Sequence, residues 1–192
     1  MKILDLGCGP QKTPGAFGLD AHSFAGVDLV YDLNRLPWPL ADNAYERIVA
    51  RHIIEHVEDV SAFMAEIHRV AAPGARVEIV TPHFSNRSAY ADPTHKRAMS
   101  VRAFDFFTGG EPRKLTTPAI AAHWLLEHRF VFERFAHVPP FSLIERRLTF
   151  SRIFRYLGVA WFADRFLDFY EFYCAWIYPA RDIEIALRVE KE

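Results

Sequence analysis

The sequence predicts an α/β protein: one domain over residues 1–192, built on a doubly wound, mostly parallel, seven-stranded sheet. Three observations carry this. The chain opens on an apolar strand run that breaks into glycines, KILDLGCGP from Lys2 to Pro10. Apolar runs of strand length then recur and leave through turns that carry acidic or histidine residues. Near the other end DIEIALRVEK, from Asp182, alternates with period two, as a last antiparallel strand does. With 192 residues, 51% of them hydrophobic, the chain can bury one sizeable core.

The elements follow in order. Strand one begins at residue 3 and runs into Gly7, Cys8 and Gly9. A glycine directly after a buried strand can take φ > 0 and lets the backbone meet a ligand that a Cβ would repel. The spacing is not the dinucleotide fingerprint GxGxxG, because Lys12 stands three after Gly9 and QKTPG is no helix start. FGLD, ending at Asp20, reads as strand two, and VYDLNRLPWP, Val30 to Pro39, as strand three and its exit. AYERIVARHIIEHVED reads as strand four and the helix after it. VAAPGARVEIVTP closes that helix, turns at Pro-Gly and forms strand five. Gly9 to Phe17 and Asp20 to Val27 leave six to eight residues for each early connection, against the roughly 10–12 that a helical crossover needs. Their helices are therefore expected to be shortened or lost. Since parallel sheets bury both faces, a later segment or a partner should fill the gap.

Taken together these runs resemble the class I S-adenosylmethionine (SAM)-dependent methyltransferases, of the type 11-like group. Asp5, Gly7 and Gly9 stand where the family's motif, apolar-apolar-Asp-apolar-Gly-x-Gly, has them, and four motifs recur in the family's order from Lys2 to about Pro82. The resemblance implies a Rossmann-like fold with SAM as cofactor, bound by Asp5, Gly7, Cys8, Gly9, Asp20, Asp32, Leu33 and His52. Asp20 would hold the ribose hydroxyls, since a carboxylate can accept two hydrogen bonds from a vicinal diol. Asp32 would lie near the adenine amino group. Trp38, after Pro37, reads as turn packing or as an adenine stack.

The second half divides into three. Residues 83–128 read as an acceptor-side insertion, with a polar loop, a short helix, a Gly109-Gly110 turn and a helix opened by Thr117 and Pro118. Arg129 to Val138 reads as strand six. Residues 141–180 hold thirteen of the twenty-eight aromatics and read as an aromatic-rich helical insertion before the last strand. That block could cover the sheet or wall the acceptor pocket, form a homodimer, or touch an anionic membrane peripherally with Arg146, Arg147, Arg152, Arg155 and Arg165. Its uncharged runs, Leu157 to Ala163 and Phe172 to Ala180, are far short of the roughly 20 residues that span a bilayer.

The strongest competing motif is HIIEH, His52 to His56, the HxxEH of inverted zinc peptidases. On a helix the two histidines would share a face. Here they follow the strand ERIVA directly, so His52 is expected at the strand end and no metal is assigned. Methyltransferases of this type carry the same letters there. Methyl transfer asks the protein to align an acceptor lone pair and exclude water, with a base to help a hydroxyl. The loops after strands four and five supply the candidates: His95 as base, with Asp92 to orient it, and His83 as the second choice. Asp92 and Thr94 in DPTHK would equally make a proline turn and a cap.

A net charge of −1 excludes a nucleic-acid backbone as the expected partner. Cys8 and Cys174 form no framework, and with strand one starting at residue 3 no cleavable leader is expected, so a reduced, cytoplasmic setting is. The expected function is methyl transfer from SAM to an oxygen or nitrogen of a small-molecule or glycolipid-type acceptor. A non-catalytic SAM-binding or interaction protein, motivated by the shortened helices, and a zinc-dependent hydrolase are the alternatives.

Overall fold

A computed structural model describes residues 1–108 and 140–191. The strands are β1 (Ile3–Leu6), β2 (Phe17–Asp20), β3 (Leu29–Val30), β4 (Tyr45–Arg51), β5 (Ala71–Pro82), β6 (Phe141–Leu148) and β7 (Asp182–Val189). They form one seven-stranded sheet in the order β3-β2-β1-β4-β5-β7-β6. The first five run parallel to one another, and β7 lies antiparallel between β5 and β6. The order reverses between β1 and β4, so the carboxyl ends of β1 and β4 diverge into the crevice where open α/β sheets bind ligands.

The early connections are as short as their length required: residues 7–16 and 21–28 contain no helix. Helix α1 (Val60–Val70) is opened by Asp59, whose carboxylate accepts from the Ala62 N–H at 3.0 Å. Its buried face, Phe63, Met64, Ile67 and Val70, joins Leu4, Leu6, Ile48 and Ala50 in the core. Trp38 is buried there too, edge-on to Phe63 at 5.5 Å, and donates from Nε1 to the Leu33 carbonyl at 3.0 Å. Of its two readings, turn packing is the one seen. Glu66 and Arg69 lock this turn. Glu66 accepts from the Trp38 N–H at 2.8 Å, and Arg69, paired to Glu66 and Asp42, donates to the Trp38 and Leu40 carbonyls.

The sixth strand differs from expectation. Arg129 to Val138, where it was expected, lies outside the described residues, as do the Gly109-Gly110 turn and the helix opened at Thr117. The strand beside β7 is Phe141–Leu148, at the head of the segment expected to be helical. FSLIERRL carries its charges consecutively, at Glu145, Arg146 and Arg147, and its pairing with β7 shifts register between Leu143 and Glu145, so no period-two pattern marked it as a strand at the head of an aromatic block.

The remainder of the block is helical: α4 (Arg152–Tyr156), α5 (Val159–Arg165) and α6 (Leu167–Phe169), then a π-helical turn over Tyr170–Cys174. Before them stand α2 (Ser88–Ala91), a 3₁₀ turn over Val101–Phe104, and α3 (Asp105–Thr108). α3 and α5 pack on β6, bound by Asp105, which pairs with both Arg102 and Arg146. Phe17, Phe24 and Val30, near the opposite edge, stay exposed. Among the described residues the helical block therefore does not fill the gap left by the missing early helices.

Candidate active site

The N-terminal loop is built from its backbone outward. Gly7 donates to the Leu19 carbonyl at 2.8 Å, with φ of +63°, and a Cβ there would lie 2.8 Å from the Ile53 side chain. The residue must be glycine on both counts. Gly9 also has positive φ (+52°), but open space faces it. Its N–H donates to Asp20 Oδ2 at 2.8 Å, and Asp20 Oδ1 accepts from the His22 N–H at 2.9 Å. The ribose candidate thus sits directly at the loop. Asp5 Oδ2 accepts from the Thr13 N–H (2.6 Å) and from Arg51 (3.1 Å), while its Oδ1 is buried and makes no hydrogen bond among the described residues. Arg51 also donates to the Gln11 carbonyl and Thr13 Oγ1, tying the loop to the end of β4. Its part could not be read from the sequence, because a lone arginine at a strand end carries no pattern.

The other expected cofactor residues take definite places. Cys8 is buried, and burial pushes its thiol pKa up, so it stays neutral. Leu33 is buried beneath Trp38. Asp32 is half-buried and caps its own turn, Oδ1 accepting from Asn34 N–H and Nδ2. His52 directly follows β4 with φ of +52°, and its N–H donates to the Val80 carbonyl at 2.8 Å. Its Nδ1 lies 3.4 Å from Glu55 Oε1, and that carboxylate holds the imidazole pKa above its usual value. HIIEH is therefore a strand end and a turn, with no helical face for a peptidase pair of histidines.

Beyond the ends of β4 and β5 opens a cleft of about 770 Å³, whose walls include His52, Glu55, His56, Asp92, His95 and Arg181. Asp92 Oδ1 accepts from the Thr94 N–H (2.9 Å) and hydroxyl (2.6 Å), which lowers the Asp92 pKa. The Thr94 oxygen, its proton given to Asp92, accepts from His56 Nδ1 at 3.0 Å. Asp92 therefore orients His56 through Thr94, while His95 Nε2 lies 3.9 Å from Asp92 Oδ2. His95 Nδ1 is 3.2 Å from the Ala89 carbonyl, which can only accept, so the lone pair of His95 is on Nε2. The rings of His56 and His95 meet edge to face at 4.7 Å.

His83 is fully buried and both ring nitrogens are spoken for. The Ser85 N–H donates to Nδ1 at 3.2 Å, so Nε2 donates to Glu171 at 2.9 Å. Glu171 also accepts from Ser100 Oγ and the Val101 N–H. This glutamate, set inside an aromatic run, joins the end of β5 to the helical block, and no sequence signal pointed to it.

The donor set at the loop fits an adenosine cofactor: Asp20 beside two glycines, a free buried Asp5 oxygen, and the cradle at Gly9. A family model described as a methyltransferase domain matches residues 1–148. The chain belongs to this methyltransferase family. Among curated proteins, the methyltransferase is similar to a ubiquinone/menaquinone biosynthesis C-methyltransferase of Desulfotalea psychrophila, 40% identical over 52 residues (27% of this chain, 20% of the relative). It is also similar to ajmaline N-methyltransferase of Rauvolfia serpentina, 33% identical over 73 residues (38% of this chain, 25% of the relative). The chain thus spans only a fifth to a quarter of the curated relatives that it matches. A SAM-dependent methyltransferase from Archaeoglobus fulgidus shares the fold at a TM-score of 0.51 with 13% identity, covering 97% of this chain and 85% of that one. SAM is accordingly the expected cofactor of the fold. No described helix is long and apolar enough to cross a membrane.

Proposed function

We propose that the protein transfers a methyl group from SAM to an oxygen or nitrogen of a small-molecule or glycolipid-type acceptor held in the cleft. Bound SAM supplies a methyl carbon made electrophilic by its sulfonium. Asp20, Gly7, Gly9 and Asp5 would hold the cofactor at the loop, with Asp32 and Leu33 farther along the adenosine. His95, its Nε2 lone pair free, would take the acceptor proton as the oxygen–carbon bond forms and the carbon–sulfur bond breaks.

The observation that carries this reading is the cleft itself, which sets histidines and Asp92 beyond the same strand ends as the glycine loop. A glycolipid-type acceptor is favoured by the neighbouring surface. Phe84, two residues before the cleft residue Asn86, meets Trp176 edge to face at 5.4 Å, and Ile153, Tyr156, Leu157, Trp161, Trp176 and Ile177 are exposed, with Arg152 and Arg155 exposed on the same helix as Ile153 and Tyr156. A polar head would enter the cleft and an apolar tail would lie on these side chains. The same surface could rest on an anionic bilayer.

The test is transfer of labelled methyl from SAM to a panel of hydroxyl- and amine-bearing acceptors, glycolipids included. His95→Gln is expected to lower kcat by about 10²–10⁴, the usual worth of a positioned base. SAM binding with no transfer to any acceptor would favour a non-catalytic binding protein.

A further inference from the structure

We propose that the cleft holds a second site, for a divalent first-row transition ion of the zinc and cobalt kind, with Glu55, His56 and His95 as its ligands. One carboxylate oxygen of Glu55 and one ring nitrogen from each histidine lie within 4.8 Å of one another. Two imidazoles and one carboxylate form a donor set that suits zinc, iron, cobalt or nickel and not magnesium or calcium, which take oxygen ligands.

The hydrogen bonds prepare this set. His56 gives its Nδ1 proton to Thr94, whose own proton goes to Asp92, and His95 gives its Nδ1 proton to the Ala89 carbonyl. In the neutral form of each ring the lone pair is therefore on Nε2. Metal-binding histidines are held in this way, the far nitrogen donating to a carboxylate, carbonyl or hydroxyl that fixes ring and tautomer. Glu55 is 1% exposed, its Oε2 accepts from the Thr81 hydroxyl at 3.0 Å, and its Oε1, which makes no hydrogen bond among the described residues, faces His52 Nδ1 at 3.4 Å. A buried carboxylate oxygen whose nearby donor stands at 3.4 Å is incompletely satisfied, and a cation would satisfy it in place of His52.

Bonds of 2.0–2.2 Å in a tetrahedron set ligand atoms roughly 3.4 Å apart. The three donors, within 4.8 Å of one another, must close by up to roughly 1.4 Å, which rotation of the two partly exposed histidines supplies. The open coordination position would face the cleft, where a hydroxyl acceptor bound to the ion loses its proton more readily. In the loaded protein His95 then serves as a ligand and not as the base. This role rests on the methyl-transfer reading, but the site does not.

The test is titration of the purified, chelator-treated protein with Co²⁺, read by its visible ligand-field band, beside Zn²⁺ retention after dialysis. One equivalent is expected, with affinity falling more than about tenfold in both Glu55→Gln and His95→Gln and unchanged in His22→Gln. No band, or a band equally strong in both variants, overturns the site. Circular dichroism checks that each variant folds, and His95, nearer the surface, keeps the test valid if the buried Glu55 variant does not. Titration with S-adenosylhomocysteine in the same samples reads the cofactor separately, so failure of the metal site is distinguishable from failure of the methyl-transfer reading.

Discussion

The cofactor edge and the acceptor cleft sit at the same ends of one sheet and are assembled by different means. At the cofactor edge the loop's own carboxylates bind it over short distances, with Arg51 as a long tie to β4. Asp20 reaches Gly9 eleven residues away, and Asp5 reaches Thr13 eight away. At the cleft the contacts are long. Thr94 meets His56 across 38 residues, and His83 meets Glu171 across 88. The first region is a local motif that backbone geometry preorganises; the second exists only once β5, the DPTHK turn and the helical block have come together.

The contrast can be broken by substitution, and the largest effect belongs to the loop. Gly7→Ala places a Cβ against Ile53 on a backbone with φ of +63°, and should cost about 2–4 kcal/mol in chemical denaturation, strain and overpacking together. Native-like stability would mean that the loop is not held as described. Next comes the joint of the acceptor half. Glu171→Ala strips the partner from the buried His83 N–H, the Ser100 hydroxyl and the Val101 N–H, and about 1–3 kcal/mol of stability should go with it. Affinity for S-adenosylhomocysteine should hold, because that variant leaves the loop intact, and a parallel loss of affinity would show the two regions to be coupled.

The smallest effect is one of pH. Glu55 raises the folded-state pKa of His52 above its unfolded value of roughly 6.5. The pair therefore stabilises fully below about pH 6.5 and its contribution fades as pH climbs through the raised value. The His52 side chain is 52% exposed, so solvent screening keeps the gain to roughly 0.2–1 kcal/mol. His52→Asn retains a residue that tolerates positive φ. Urea denaturation at pH 5.5 and 8.5 should show the native protein's advantage over this variant shrinking at the higher pH; an advantage that grows would assign the shift to another group.

The same contrast explains what the sequence disclosed. The glycine loop, Asp20, the short early connections and the central parallel strands were legible because each depends on neighbours in the chain and on period-two burial. The strand-end position of His52 followed from spacing alone, whereas the cap of α1 at Asp59 shows only in the folded chain. Strand β6 was not legible where it stands, since FSLIERRL bunches its charges at Glu145 to Arg147, breaks register at Leu143/Glu145 and opens an aromatic block, leaving no period-two signal. Nor was Asp92's choice of Thr94 and His56 over His95, which is decided by how the DPTHK turn meets residues brought from β4. Arg51 and Glu171 are single charges without a motif, and only the folded chain reveals what they tie.

The central claim is that the opening loop and Asp20 grip an adenosine sulfonium cofactor. Calorimetric titration of the native protein and of Asp20→Ala with S-adenosylhomocysteine tests it most directly. Native binding should be saturable at one site per chain, and the substitution should weaken it by about 1.5–3 kcal/mol, roughly ten- to hundredfold, for lost charge-assisted hydrogen bonds. No binding by the native chain, or equal binding by both proteins, would contradict the account.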